Sequence, residues 1–70
     1  MKYIVLEIQK TGDVVSTIAT VYDDRPHADA AFYSLLAVCA LSTLDKHGAM
    51  IINENGAVVK SEVYERTVSE

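Results

Sequence analysis

The run Leu35-Leu36-Ala37-Val38-Cys39-Ala40-Leu41 contains no polar residue, and it constrains this chain more than any other feature. Just before it, Asp23-Asp24-Arg25-Pro26 ends a β-branched stretch with helix-start chemistry. Aspartate is a favoured N-cap, proline is tolerated in the first turn, and acidic groups there suit the helix dipole. The pattern predicts a helix from about Arg25 to Leu44, closed by Asp45-Lys46-His47-Gly48, with basic groups near its end and Gly48 as its exit. At about 100° per residue, Leu35, Leu36, Cys39 and Ala28 gather near Phe32. Tyr33, Ala37, Ala40, Leu41 and Leu44 fall on the opposite half, interrupted only by the small Ser34, Ser42 and Thr43. A helix lying on one sheet needs a single apolar stripe. A helix apolar on every side has to be covered on every side.

The segments flanking this helix read as strands. In Lys2–Gln9, Ile4, Leu6 and Ile8 share one face, with Tyr3, Val5, Glu7 and Gln9 on the other. That alternation describes a strand with one wet side. Thr11-Gly12-Asp13 is a turn signal, and Val14–Tyr22 is rich in β-branched and aromatic residues. After the helix, residues 49–53 form a third apolar run, Asn55-Gly56 signals a two-residue type I′ hairpin, and residues 57–66 alternate as a fourth strand. The expected fold is α+β, a single ββαββ domain over residues 1–70. Its four-stranded antiparallel sheet carries one helix across one face.

Seventy residues supply little beyond these elements. Domains of this size bury only about 60% of their unfolded surface and often need a disulfide, a metal or a partner subunit. Cys39 is the sole cysteine, so it has no partner within the chain, and His27, His47 and Cys39 lack zinc-ligand spacing. A second copy of the chain is then the economical cover for the outer helix surface. The expectation is a dimer or higher homo-oligomer joined through Tyr33, Ala37, Ala40, Leu41 and Leu44, the alanines allowing close approach.

The charge balance and the apolar runs narrow the partners. Ten acidic against six basic residues give a net charge of −4, with no basic face for nucleic acid. No apolar stretch approaches the ~20 residues of a membrane helix. Met1–Gln9 lacks a basic segment followed by a long apolar run, so no signal peptide is expected. Together with the single cysteine, this points to a reducing, cytoplasmic setting.

No arrangement of residues predicts catalysis. Ser34 and Ser42 lie on the expected helix, whose opposite ends separate His27 from His47, so one chain assembles no triad. Asp23-Asp24 reads as capping, His27-x-Asp29 as solvated first-turn residues, and the isolated glycines form no phosphate loop. No cofactor or metal is expected. A binding site is the better expectation. The helix start offers unpaired N–H groups suited to an anion, with Tyr22, Arg25 and His27 beside it. Tyr33, His47, Tyr64 and Arg66 add stacking and hydrogen-bonding groups for a polar aromatic ligand. Plainer readings stand beside these: Tyr22 and Tyr64, like Tyr3, as ordinary strand residues, and Arg25 as the ion-pair partner of Asp29.

Taken together, Tyr22-Asp23-Asp24-Arg25, Phe32-Tyr33-Ser34-Leu35-Leu36-Ala37, Ser42, His47, Asn53-Glu54-Asn55-Gly56 and Tyr64 resemble a family of very short proteins encoded by phages and prophages of gut bacteria. The resemblance spans nearly the whole chain and departs from the pattern at Tyr33, where the family leads one to expect histidine. The family has no settled activity and assigns no role to any residue. The resemblance implies a phage accessory protein in the cytoplasm of the bacterial host. Its expected roles are an oligomeric counter-defence factor that sequesters a small nucleotide-derived immune signal, an inhibitor of a host defence protein, or a minor particle component.

Overall fold

The computed structural model describes residues 1–65, so Arg66 lies outside the described residues. The elements run β1 (Tyr3–Thr11), β2 (Val14–Tyr22), α1 (Arg25–Leu41), β3 (Lys46–Asn53) and β4 (Val58–Glu65). They form an α+β fold with one antiparallel sheet in the order β2-β1-β3-β4. β2 and β3 both run antiparallel to β1 and therefore parallel to each other. Chains cannot turn tightly between parallel strands, so α1 serves as a crossover that spans β1.

Asp24 caps α1 as its sequence suggests. Its carboxylate accepts the His27 backbone N–H at 2.8 Å, and the same side chain bonds His27 Nδ1 at 2.7 Å. The backbone N–H holds the Asp24 carboxyl below the usual aspartate range, with the imidazole contact as the second cause. The other end departs from expectation. The helix stops at Leu41 instead of Leu44, because Ser42 is extended and its N–H returns to the Cys39 carbonyl. The Ser42 hydroxyl then accepts the Leu44 N–H at 3.1 Å, a local bond that competes with further helix. Leu44 is consequently off the helix and half-buried. His47 and Gly48 are also not a helix exit, since both lie within β3 and are buried. At Gly48 a Cβ would meet the Glu62 carbonyl oxygen at 2.5 Å, so the glycine permits close pairing of β3 with β4.

The second hairpin also differs from the type I′ expectation. Among the described residues none but glycine has positive φ, so Asn55 does not occupy the left-handed position that turn requires. Only Gly56 does, at φ +85°. The Asn53 side chain instead organises a longer turn, accepting the N–H groups of Asn55 at 2.9 Å and Ala57 at 3.0 Å.

The core lies between the sheet and α1. It joins Ala28 and Phe32 of the helix to Val5, Ala49 and Ile51, with Tyr3, Tyr22, Leu35, Leu36 and Val59 packed around them. The register puts Tyr3, Val5, Glu7 and Gln9 in line with Asn53, Ile51, Ala49 and His47. The helix thus covers the side of β1 that its sequence marks as wet. The other side carries Ile4, Leu6 and Ile8 on β1, aligned with Val21, Ala19 and Thr17 on β2 and with Ile52, Met50 and Gly48 on β3. No helix covers that side among the described residues.

Candidate functional site

The helix packs mainly over β3 and β1 and only lightly against β2. This offset opens a cleft between α1 and β2. Four helix residues at i, i+3, i+4 and i+7, namely Ala31, Ser34, Leu35 and Val38, form one wall. Ile18, Thr20 and Tyr22, alternate residues of β2, form the other, with Val5 and Glu7 of β1 also lining it. Its volume is about 340 Å³. Ile18 is 56% exposed and Val38 59%, so the rims lack cover in the single chain.

Among the described residues, Glu7 is the one charged group that lines the cleft. Its Oε2 accepts a 2.8 Å bond from Gln9 Nε2 and lies 2.5 Å from His47 Nε2. Register brings these groups together, since Glu7 is opposite Ala49 and His47 is opposite Gln9 across the β1–β3 ladder. The His47 bond, then the Gln9 bond, holds the Glu7 carboxyl below the usual glutamate range and outweighs the opposing effect of burial. Oε1 accepts no bond from the described residues. His47 is nearly sealed at 5% exposure, and its Nδ1 has no hydrogen-bond partner among the described residues. Cys39 is buried close by, and burial followed by the Glu7 charge pushes its thiol above the usual range, which leaves it a poor nucleophile.

Of the seven ligand residues expected from sequence, the six that lie among the described residues are not gathered into one site. Arg25 is 3.0 Å from Asp29, and His27 is on the Asp24 cap, so their plainer readings describe the helix start. Tyr22 alone lines the cleft. Tyr33 is on the exposed side of α1, where its hydroxyl accepts from Lys60 Nζ at 2.7 Å and the ammonium sits 4.5 Å from the ring centroid. Tyr64 pairs with His47 across the β3–β4 ladder. Glu7, Gln9, Ile18, Thr20 and Ser34 were not expected from sequence; the available signal was a lone carboxylate inside the apolar run of β1.

Tyr33, Ala37, Ala40 and Leu41 are all exposed on the helix. No group of three or more His, Cys, Asp or Glu residues could hold a metal among the described residues. Among the described residues no helix is long and apolar enough to cross a membrane. In comparisons with known proteins, no family model, curated protein or solved structure matches the chain.

Proposed function

We propose that this chain is a non-enzymatic subunit of a homo-oligomeric accessory protein, joined first through the helix-free face of its sheet. The observation that carries this reading is the composition of that face. Ile4, Leu6, Ile8, Val15, Ala19, Val21, Met50, Ile52, Val58 and Val63 share it by register with the small polar Thr17 and Ser61, and the charged residues its strands contribute are Lys10, Lys46 and Glu65, all at one end. Val15, Val21 and Val63 are 60%, 58% and 46% exposed.

Its size suits a second copy. Four strands about 4.8 Å apart and about eight residues long at ~3.3 Å each cover roughly 500 Å². That extent, which takes in Thr17, Ser61 and the charged end, is comparable to the largest patch a monomer exposes, and such patches are often interaction sites. Covering it on two copies removes on the order of 1,000 Å² from water, the level at which specific interfaces begin. Two such sheets would stack about 10 Å apart with strands offset by about 30°. The helix surface of Tyr33, Ala37, Ala40 and Leu41 is narrower and serves as a second contact in a larger assembly.

The resemblance to short phage and prophage proteins supplies the setting, a counter-defence factor or particle component. Sequestering a nucleotide-derived signal would be a property of the assembly. In the single chain Arg25 is paired with Asp29, and Asp23 and Asp24 stand at the helix start, so a phosphate gains little there.

Native mass spectrometry with light scattering tests the reading. The wild type is expected as a dimer or larger at about 10 μM, and Val21→Glu/Val63→Glu as a folded monomer. Leu41→Glu should keep the sheet-face dimer. A wild-type monomer at ~100 μM overturns the proposal, and so does an oligomer that Leu41→Glu dissolves while Val21→Glu/Val63→Glu does not.

A further inference from the structure

We propose that the cleft between α1 and β2 binds a small organic cation, an ammonium or guanidinium group carrying an apolar body, with Glu7 as its counter-charge. The inference is independent of the sheet-face oligomer, because the cleft lies on the helix side of the sheet.

Its size comes first. A volume of about 340 Å³ is at the lower end of ligand-sized pockets. It suits a ring or a short branched chain better than a nucleotide. Its walls are apolar where a ligand body would lie, on Val5, Ile18, Leu35 and Val38, with Thr20, Ser34 and Tyr22 adding hydroxyl groups.

Charge decides the class of ligand. Among the described residues, neither lysine nor arginine lines the cleft. Of the described cations, Lys2, Arg25, Lys46 and Lys60 are within ion-pair distance of Asp23, Asp29, Glu65 and Asp29 respectively, and Lys10 shares the helix-free face with Ile8. Glu7 therefore meets a ligand without a competing ammonium or guanidinium of its own. An anion would approach a carboxylate inside an apolar cleft, where repulsion is weakly screened. A cation would gain a charge-assisted bond there.

Glu7 is also held in position. Its side chain is 16% exposed, and both protein bonds fall on Oε2. His47 and Gln9 thus fix the carboxylate while Oε1 remains available to a ligand. Supporting side chains that lock a binding group lower the ordering cost when a ligand arrives. The lowered acidity range of Glu7 agrees with a carboxylate kept ionised.

The test uses benzylammonium, neutral benzyl alcohol and anionic benzoate, titrated into the isotopically labelled full chain at about pH 8, above the ordinary imidazole range. Side-chain methyl resonances report the site. Benzylammonium should shift Ile18, Leu35 and Val38 saturably, at least about five-fold more tightly than benzyl alcohol, and benzoate should leave them unmoved. Glu7→Gln should weaken benzylammonium about ten-fold while leaving benzyl alcohol unchanged. Thr20→Phe, a change at an exposed position that fills the cleft, should abolish both. Equal affinity for the charged and neutral probes, or unchanged benzylammonium binding by Glu7→Gln, overturns the proposal. Shifts of Ile18, Leu35 and Val38 with protein concentration alone would assign the cleft to a second copy and overturn it as well.

Discussion

Glu7 occupies a place where an unassisted carboxylate would be costly, and two hydrogen-bond donors offset that cost. Because its folded-state acidity lies below the unfolded value, the group binds fewer protons when folded. Its contribution to stability is therefore complete above the ordinary glutamate value of about 4.3 and is lost as the pH falls through the lower folded value. Denaturant unfolding followed from pH 7 down to about 3 should show stability falling in that acid window, with Glu7→Gln showing a shallower fall. The Asp24 cap titrates in the same direction, so the difference between wild type and Glu7→Gln isolates the Glu7 part. An equal slope in both proteins would deny Glu7 this role. Its place beside His47 was not legible in the sequence, since the two are forty positions apart and meet only through strand register.

The helix shows how far periodicity reads at the scale of one element. Its start was legible because Asp24 and Pro26 act locally, through one side-chain bond and one fixed backbone angle. Its division into a buried stripe and an outer stripe was also legible: Ala28, Phe32 and Cys39 are buried, while Tyr33, Ala37, Ala40 and Leu41 are exposed. Its end was not, because Ser42 stops the helix by a hydroxyl bond that hydropathy does not register. The strands were found, but alternation alone cannot say which side of β1 meets the helix. Both sides of β1 carry apolar residues, and the choice falls to Val5 because its β3 neighbours Ala49 and Ile51 are the ones that contact α1. The two stripes differ measurably. Phe32→Ala, at a position 3% exposed, should cost about 3–5 kcal/mol, most of the stability of so small a domain. Leu41→Ala, at a position 86% exposed, should change the unfolding free energy of the isolated subunit by less than about 0.5 kcal/mol. Denaturant titration at high dilution reads both, and equal losses would mean that Leu41 is covered in the monomer.

As a whole, the molecule is a two-layer fold with an apolar surface on each outer side. The inner layer boundary holds the core, while the far side of the sheet and the outer side of the helix carry exposed aliphatic groups such as Val21, Val63 and Leu41. A folded state stabilised by association gains from concentration, because assembly draws on the folded subunit and not on the unfolded chain. The melting temperature should therefore rise measurably between about 1 and 100 μM. Val21→Glu/Val63→Glu should melt at a temperature that does not vary with concentration. A wild-type melting temperature that is flat across that range would describe a subunit sufficient by itself.

The strand order has one more consequence. β1–β2 and β3–β4 are each closed by a short turn, and they meet only at the β1–β3 seam in the middle of the sheet. The link from the helix end to β3 is only residues 42–45. A seam that two halves of one chain can close can also be closed by halves of different chains. Refolding at high concentration would then yield entwined pairs in which each molecule lends its β3–β4 half to the other while keeping every native ladder.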